Sequence, residues 1–110
     1  MKISLAQLLD RLPLPATEQW PDGVFAAEAI SHGTMSLEVF APRGTDHQRP
    51  HLQDELYIVV SGRAAFWREG QTDDVAAGDA LFVRAGQDHR FTDMSDDFVT
   101  WVIFWGPEGG

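Results

Sequence analysis

The stretch Gly44-Thr-Asp-His-Gln-Arg-Pro-His-Leu-Gln-Asp-Glu-Leu-Tyr-Ile-Val-Val-Ser-Gly62 is the densest polar segment of the chain. It places His47, His51 and Glu55 at regular intervals of four residues, a spacing that can mark one face of a helix. Pro50 lies inside the segment, and a proline there removes a helical hydrogen bond and clashes with the preceding turn. The segment is therefore predicted to be extended rather than helical.

In an extended chain, alternate residues share a face. His47, Arg49 and His51 then point to one side, and Glu55 and Tyr57 share a face of the strand that follows. The chain has no cysteine, so any metal ion must be held by imidazole, carboxylate or amide oxygen. The segment thus offers candidate metal ligands at the start of a strand.

A second polar stretch, Gly78-Asp-Ala-Leu-Phe-Val-Arg-Ala-Gly-Gln-Asp-His-Arg-Phe-Thr-Asp93, extends the pattern. In this order the two stretches resemble the two motifs of the cupin superfamily. The first family motif is a glycine, a His-x-His pair, three or four residues, a glutamate, six residues and a glycine. The second is a glycine, five residues, Pro-x-Gly, two residues, a histidine, three residues and an asparagine. The chain matches these motifs at His51, Glu55, Gly62, Gly78, Gly86 and His89.

The resemblance implies a β-barrel that binds a divalent metal ion (Fe, Mn, Zn or Ni) through His51, Glu55 and His89. One ligand of the family set is missing, because Arg49 stands where the first histidine of the pair belongs. A guanidinium group is always cationic and cannot ligate a metal. Two further family positions, a proline and an asparagine, are occupied by Arg84 and Asp93, and Gly44 lies one residue closer to the histidine pair than the pattern asks.

The replacement for the missing histidine is open between His47 and Gln48. His47 shares a face with Arg49 in an extended chain, although a solvated turn residue is an equally good interpretation. Gln48 can offer its carbonyl oxygen if a bulge beside Pro50 turns it inward. Arg49 itself is predicted to bind the anionic group of a substrate, and Tyr57 is a second candidate for contact with a ligand at the barrel mouth.

The rest of the chain indicates an all-β sandwich or barrel, and the resemblance implies that it is an antiparallel jelly-roll β-barrel. Short β-rich segments are separated by Gly, Pro and Asp at the spacing typical of a sandwich or barrel. They are Val24–Ile30, Thr34–Phe40, Leu56–Val60, Ala64–Arg68, Ala80–Val83, His89–Thr92 and Phe98–Trp105. The last of them is apolar and aromatic almost throughout and is predicted to be buried on both faces. Asp73-Asp74 is assigned to a turn between strands.

A short N-terminal helix precedes the barrel. Ser4 can cap it, and leucines follow with helical spacing at Leu5, Leu8, Leu9 and Leu12 before Pro13 ends it. The predicted organisation is a single cupin domain over residues 1–110. It consists of the helix and an arm over 1–23, the barrel over 24–105 and a frayed tail over 106–110.

Composition limits the partners. The 110 residues suit one domain, and the net charge of −9 without a Lys/Arg cluster argues against nucleic acid and anionic membranes. We expect a cytoplasmic protein, since neither a long apolar run nor a signal peptide is evident. We also expect a homodimer, because a small chain has difficulty covering both faces of the last strand, and a small-molecule ligand inside the barrel.

Two functions are compatible with these features. The first is a mononuclear metalloenzyme acting on a small oxygen-containing or acidic substrate, of the dioxygenase, isomerase or decarboxylase type that the resemblance implies. The second is a non-catalytic module that binds or senses a small molecule, with or without metal. In a metal-free barrel, Arg49 would neutralise Glu55.

Overall fold

The computed structural model describes all 110 residues as two antiparallel β-sheets with one short helix. The elements are α1 (Leu5–Leu9), β1 (Ala26–His32), β2 (Met35–Phe40), β3 (Asp54–Ser61), β4 (Arg63–Arg68), β5 (Gln71–Ala76), β6 (Ala80–Val83), β7 (His89–Thr92) and β8 (Val99–Trp105). One sheet has the order β1-β2-β8-β3-β6 and the other has the order β5-β4-β7. This is the predicted jelly-roll fold. The one helix is too short to cross a membrane.

The main core fills the space between the two sheets. Phe91 on β7 is its centre, with ring centroids 4.9 Å from Phe66 and from Phe98 and 5.0 Å from Tyr57. These four rings are at most 1% exposed. Each fully buried ring of this kind contributes about 1.5–3 kcal/mol from the hydrophobic effect, so this cluster holds the sheets together.

A smaller core lies on the outer face of the five-stranded sheet, under α1. The helix begins as predicted, with the Ser4 hydroxyl accepting a hydrogen bond from the backbone N–H of Gln7 at 3.3 Å. Its buried Leu8 belongs to one cluster with Val39 of β2 and Val99 of β8. The outward side chains of β2 are therefore the apolar ones.

The inward face of β2 is consequently its more polar face. Phe40 belongs to the main core, and because side chains alternate along a strand, Glu38 and Ser36 point to the same interior. Across the sheet, Glu38 pairs with Val102, which pairs with Tyr57. Both of these partners are 1% exposed, so Glu38 lies in a row of interior positions.

Three local predictions were wrong. The predicted turn at Asp73-Asp74 is part of β5, an edge strand that exposes its first four residues. Charged side chains protect such an edge from pairing with other chains, and they also hide the alternation that signals a strand. The residues from 44 to 53 form an irregular loop rather than an extended face. The last strand leaves Trp105 37% exposed, because the cluster under α1 includes only Val99 and Trp101 of that strand.

The C-terminal tail is not frayed. The backbone N–H of Gly109 donates to the Leu52 carbonyl at 2.7 Å, and that of Gly106 donates to the Thr34 hydroxyl at 3.0 Å. Gly106 and Gly109 adopt φ angles of 84° and 88°, which glycine reaches without strain. The tail therefore folds back onto the loop before β3.

Candidate metal centre

Three elements bring the predicted ligands together between the two sheets. Glu55 is the second residue of β3 in the large sheet, His89 is the first residue of β7 in the small sheet, and His51 lies in the loop before β3. The backbone N–H of Gly86 donates to the His51 carbonyl at 2.7 Å. Gly86 has a φ of 79°, a conformation that favours glycine. This hydrogen bond joins the turn of the second motif to the loop of the first.

The ligand atoms of these three side chains lie within 4.8 Å of one another. His89 Nε2 is 2.7 Å from Glu55 Oε1, and His51 Nδ1 is 3.2 Å from the same oxygen. His89 and Glu55 are 0% and 1% exposed, whereas the His51 side chain is 34% exposed. The centre is therefore buried on two sides and opens to solvent past His51.

The polar atoms of this group suit a metal ion. His51 Nδ1 and both carboxylate oxygens of Glu55 are buried, yet they form no properly directed hydrogen bond. Buried polar groups are nearly always paired, and leaving one unpaired costs about 1–3 kcal/mol. Imidazole nitrogen and carboxylate oxygen are the usual ligands of Fe, Mn, Zn and Ni. This group of residues can hold a divalent ion.

The backbone selects the tautomer of His89. Its Nδ1 lies 2.7 Å from the Gln87 carbonyl oxygen, which can only accept a hydrogen bond, so Nδ1 carries a proton. In the neutral ring the lone pair is then on Nε2, which faces Glu55. A carbonyl partner on the second ring nitrogen is the arrangement by which proteins orient a metal-binding histidine.

A chain of hydrogen bonds leads from His89 into the wall of the barrel. The Tyr57 hydroxyl is 3.0 Å from His89 Nε2 and donates to Gln48 Oε1 at 2.9 Å. The Gln48 amide in turn donates to the buried carboxylate of Asp46, which also accepts from the backbone N–H of Phe91 at 2.8 Å. Burial raises the pKa of Asp46 despite these hydrogen bonds. Asp46 thus fixes which end of the Gln48 amide faces Tyr57.

The charges in the centre stabilise one another. Burial is the largest influence on Glu55 and opposes its ionisation, but His51 and His89 together outweigh it, so the pKa of Glu55 lies below its ordinary value. Burial likewise opposes a charged His89, but Glu55 and the Gln87 carbonyl outweigh it and raise the pKa of His89. Burial and the nearby Glu55 charge hold the pKa of Tyr57 well above its ordinary value. The Tyr57 hydroxyl therefore stays protonated and can donate.

A cavity of about 290 Å³ adjoins the centre. Glu38 and Arg49 are its only charged lining residues, and Tyr57 and His51 also line it. The arm before β1 supplies Gln19, Trp20, Val24 and Phe25, and apolar residues complete the wall. This enclosed space, open to solvent at one side, is of the kind that binds small molecules.

The structure separates the remaining predicted residues from the three-residue group. The His47 ring packs edge-on against Trp20 at 5.6 Å, and its carbonyl accepts a hydrogen bond from the Gln19 amide. Gln48 reaches the centre through Tyr57. Arg49 is exposed and lines the cavity.

Sequence reasoning missed Glu38. Burial raises the pKa of Glu38 from 4.5 to about 7. The nearby His51 lowers this pKa, and the negative charges of Glu55 and Glu28 raise it further. The available signal was Phe40, a large aromatic residue that shares a face of β2 with Glu38 in an alternating strand.

The fold and the site together define a jelly-roll domain with a His/Glu/His centre between its sheets. Residues 36–105 match the family model described as a cupin domain. The chain belongs to the cupin family, whose members typically bind metal. It is 48% identical over 89 residues to an uncharacterized protein of Streptomyces coelicolor, covering 79% of this chain and 84% of that one.

Solved structures agree on the fold. Protein NMB1881 from Neisseria meningitidis matches with a TM-score of 0.70 and 17% identity, over 96% of this chain and 100% of that one. The DMSP lyase DddQ from Ruegeria pomeroyi matches with a TM-score of 0.64 and 23% identity, over 74% of this chain. The match covers 46% of the lyase, so this chain spans less than half of that protein.

Proposed function

We propose that this cupin is a mononuclear metalloenzyme that acts on a small oxygen-containing or acidic substrate. The observation that carries the proposal is the convergence of two buried ligand groups and the half-buried His51, with buried nitrogen and oxygen atoms that lack directed hydrogen bonds, beside a cavity open to solvent. An Fe, Mn, Zn or Ni ion bound there would supply a Lewis acid with open coordination positions. The fold is compatible with catalysis, since a DMSP lyase shares it.

Each residue of the site has a defined part in this proposal. His51, Glu55 and His89 hold the ion, and the Gln87 carbonyl keeps the proton of His89 on Nδ1. Arg49 can form a two-pronged hydrogen bond with a substrate carboxylate at the cavity. Tyr57, whose hydroxyl proton goes to Gln48 Oε1, can accept a hydrogen bond from a substrate hydroxyl or amino group at the cavity.

A non-catalytic module that binds or senses a small molecule is the second candidate. Arg49 in place of the family histidine supports it, because one fewer protein ligand weakens metal binding. The mutual stabilisation of Glu55 and His89 also supports it, since this pair can persist without a metal. In that case the cavity would bind its ligand unchanged.

Metal titration tests the site itself. Wild-type protein purified without chelator is titrated with Fe(II), Mn(II), Zn(II) and Ni(II), and thermal unfolding is followed. At a metal concentration about 100 times the Kd, binding adds about 2.7 kcal/mol, which raises the Tm of a domain this size by roughly 10 °C. His89→Ala should abolish the rise. His32→Ala is the matched control, because His32 is exposed at the end of β1.

The result that overturns the metal site is a His89→Ala protein that binds metal as tightly as wild type, or a wild-type protein that binds none of the four ions. The choice between enzyme and module needs a second measurement. The Fe(II)- or Mn(II)-loaded protein is incubated with small carboxylic and hydroxy acids, and products are sought by NMR. A new product supports the enzyme, and saturable binding without a product supports the module.

A further inference from the structure

Glu38 lies on a wall that two cavities share. One is the 290 Å³ cavity beside the metal centre, and the other is a more open cavity of about 740 Å³ near the C-terminal tail. The residues common to both linings are Glu38, Pro50, His51 and Phe104. A ligand in either cavity therefore lies against the wall that contains Glu38 and His51.

The Glu38 carboxyl has no partner within the protein. No side chain or backbone N–H donates to it, and no Lys, Arg or His forms an ion pair with it. The residue directly opposite on β1 is Glu28, and like charges at such positions destabilise a sheet. A β-bulge follows immediately, between Glu28 and Ile30, a feature that often lies next to active sites.

This arrangement costs stability without any compensation inside the fold. A carboxylate is only an acceptor of hydrogen bonds, and much of the surrounding wall is apolar, including Phe40, Val102 and Phe104. The Glu38 oxygens are not among the buried unpaired atoms and still reach solvent, but a charge held beside this apolar wall is less well solvated than one in water. Proteins keep such residues mainly where function requires them.

We propose that Glu38 is a ligand-binding residue that accepts a hydrogen bond from a hydroxyl or amino group of a small carboxylic acid. This step rests on the proposed function, in which the carboxylate of the ligand binds at Arg49 and the metal centre. Arg49 and Glu38 are the only cation and the only carboxylate that line the smaller cavity. A ligand with a carboxylate at one end and a hydrogen-bond donor at the other can bind Arg49 and Glu38 at the same time.

Three probes of equal chain length test this assignment, namely propionate, 3-hydroxypropionate and β-alanine. Their Kd values are measured by NMR titration with metal-free and Zn(II)-loaded protein. Because a hydrogen bond to a charged group typically contributes a factor of ten or more, both donor-bearing acids should bind wild type at least tenfold more tightly than propionate. Glu38→Ala should bring all three within threefold of one another and leave propionate unchanged.

Two further variants make the result specific. Glu38→Gln keeps an acceptor oxygen without the charge, so it should retain part of the preference for 3-hydroxypropionate and lose the preference for β-alanine. This variant also keeps the test decisive if Glu38→Ala does not fold. Glu28→Gln is the matched control, because Glu28 is exposed and lines neither cavity. The Glu28→Gln protein should bind 3-hydroxypropionate and β-alanine more tightly than propionate, by ratios of Kd within threefold of the wild-type ratios.

Three outcomes overturn the assignment. They are equal binding of the three acids by wild type, a preference that survives Glu38→Ala, and no binding of any probe at tens of millimolar. Zn(II) titration of the same proteins separates this result from failure of the metal site. The Glu38 variants should bind Zn(II) like wild type, because Glu38 is not among the three grouped ligands. A wild type that binds the donor-bearing acids but no metal would contradict the metalloenzyme and support Glu38.

Discussion

Two carboxylates on the inner face of the same sheet have opposite surroundings. Glu55 on β3 faces two imidazoles, and its pKa is held below the ordinary value even though the side chain is 1% exposed. Glu38 on β2 lies opposite Glu28 and lines the cavity beside the metal centre, and burial raises its pKa to about 7. Burial disfavours the charge in both cases. The difference comes from the partners, which are present in one region and absent in the other.

The comparison shows what each region contributes. In the centre around Glu55, the two imidazoles offset the cost of burying the carboxylate charge, while His51 Nδ1 and the Glu55 oxygens lack directed hydrogen bonds and are free to bind an ion. The wall around Glu38 is uncompensated, so it costs stability until something else enters the cavity.

The largest expected effect is the loss of Glu55. Glu55→Ala removes the charge that pairs with His89 at 2.7 Å and should destabilise the metal-free protein by about 3 kcal/mol, as breaking a buried pair does. It should also lower metal affinity more than a hundredfold. Urea unfolding and metal titration measure the two effects. Glu38→Ala at pH 8 is the comparison, and it should be neutral or stabilising. Equal destabilisation by Glu55→Ala and Glu38→Ala would contradict the proposed difference between the two carboxylates.

The second effect is a pH dependence of opposite sign in the two regions. Below pH 4.5 Glu38 is protonated in both folded and unfolded states, and between pH 4.5 and about 7 only the unfolded state ionises, so stability falls as pH rises. Allowing for partial exposure, Glu38→Gln should gain about 1–2 kcal/mol at pH 8 and nothing at pH 4. Urea unfolding of both proteins at the two pH values checks this. A constant difference between them would contradict it.

The Glu55–His89 pair should show the complementary profile. The lowered pKa of Glu55 gives stability that is present above pH 4.5 and is lost as pH falls through its folded value. The raised pKa of His89 gives stability that is present below pH 6.5 and is lost as pH rises through its folded value. Metal-free Glu38→Gln protein should therefore be most stable between about pH 4.5 and 6.5. The same profile in a Glu38→Gln/His89→Ala double variant would show that His89 is not its source.

A smaller effect is expected from the hydrogen-bonded wall behind the centre. Gln48→Ala removes the acceptor of the Tyr57 hydroxyl and should cost about 1 kcal/mol of stability and about tenfold in metal affinity, as loss of an outer partner does. The control is Gln53→Ala, because Gln53 donates only to the Thr34 and Gly106 carbonyls. If Gln48 were a direct ligand, as the sequence left open, the loss would approach that of His89→Ala.

The smallest effect on the site is expected from the outer face of the same sheet. Phe82 is 47% exposed and Trp105 is 37% exposed, and their rings lie 6.2 Å apart. We propose that a second copy of the chain covers this surface. Analytical ultracentrifugation should show a dimer that Phe82→Ser/Trp105→Ser converts to monomer while Zn(II) affinity changes less than threefold. A wild-type monomer at high concentration would contradict the proposal.

The sequence predicted the parts of the molecule whose signal is local. The all-β class follows from the pattern of short β-rich segments, whereas the convergence of His51, Glu55 and His89 was implied by the resemblance of the two motifs to the cupin superfamily. The edge strand β5 was missed because only Val75 of its six residues is buried, so no alternation of apolar residues exists to be detected.

The loop and the polar interior face needed three-dimensional information. The path of the residues between 44 and 53 depends on distant partners such as Phe91, whose N–H binds Asp46. The inward orientation of Glu38 depends on α1, which packs on Val39 and turns the apolar side of β2 outward. A strand with cores on both sides has no single apolar face, so alternation alone cannot say which side meets the cavity.

The arm before the first strand has an evolutionary consequence. Five of the fourteen residues that line the cavity beside the metal centre precede the region 36–105 that matches the cupin domain, namely Gln19, Trp20, Val24 and Phe25 of the arm and Ala26 at the start of β1. Changes in this segment can reshape the cavity without disturbing His51, Glu55 or His89. Two relatives with identical motifs can thus bind different small molecules, and the sequence differences responsible are expected in their arms.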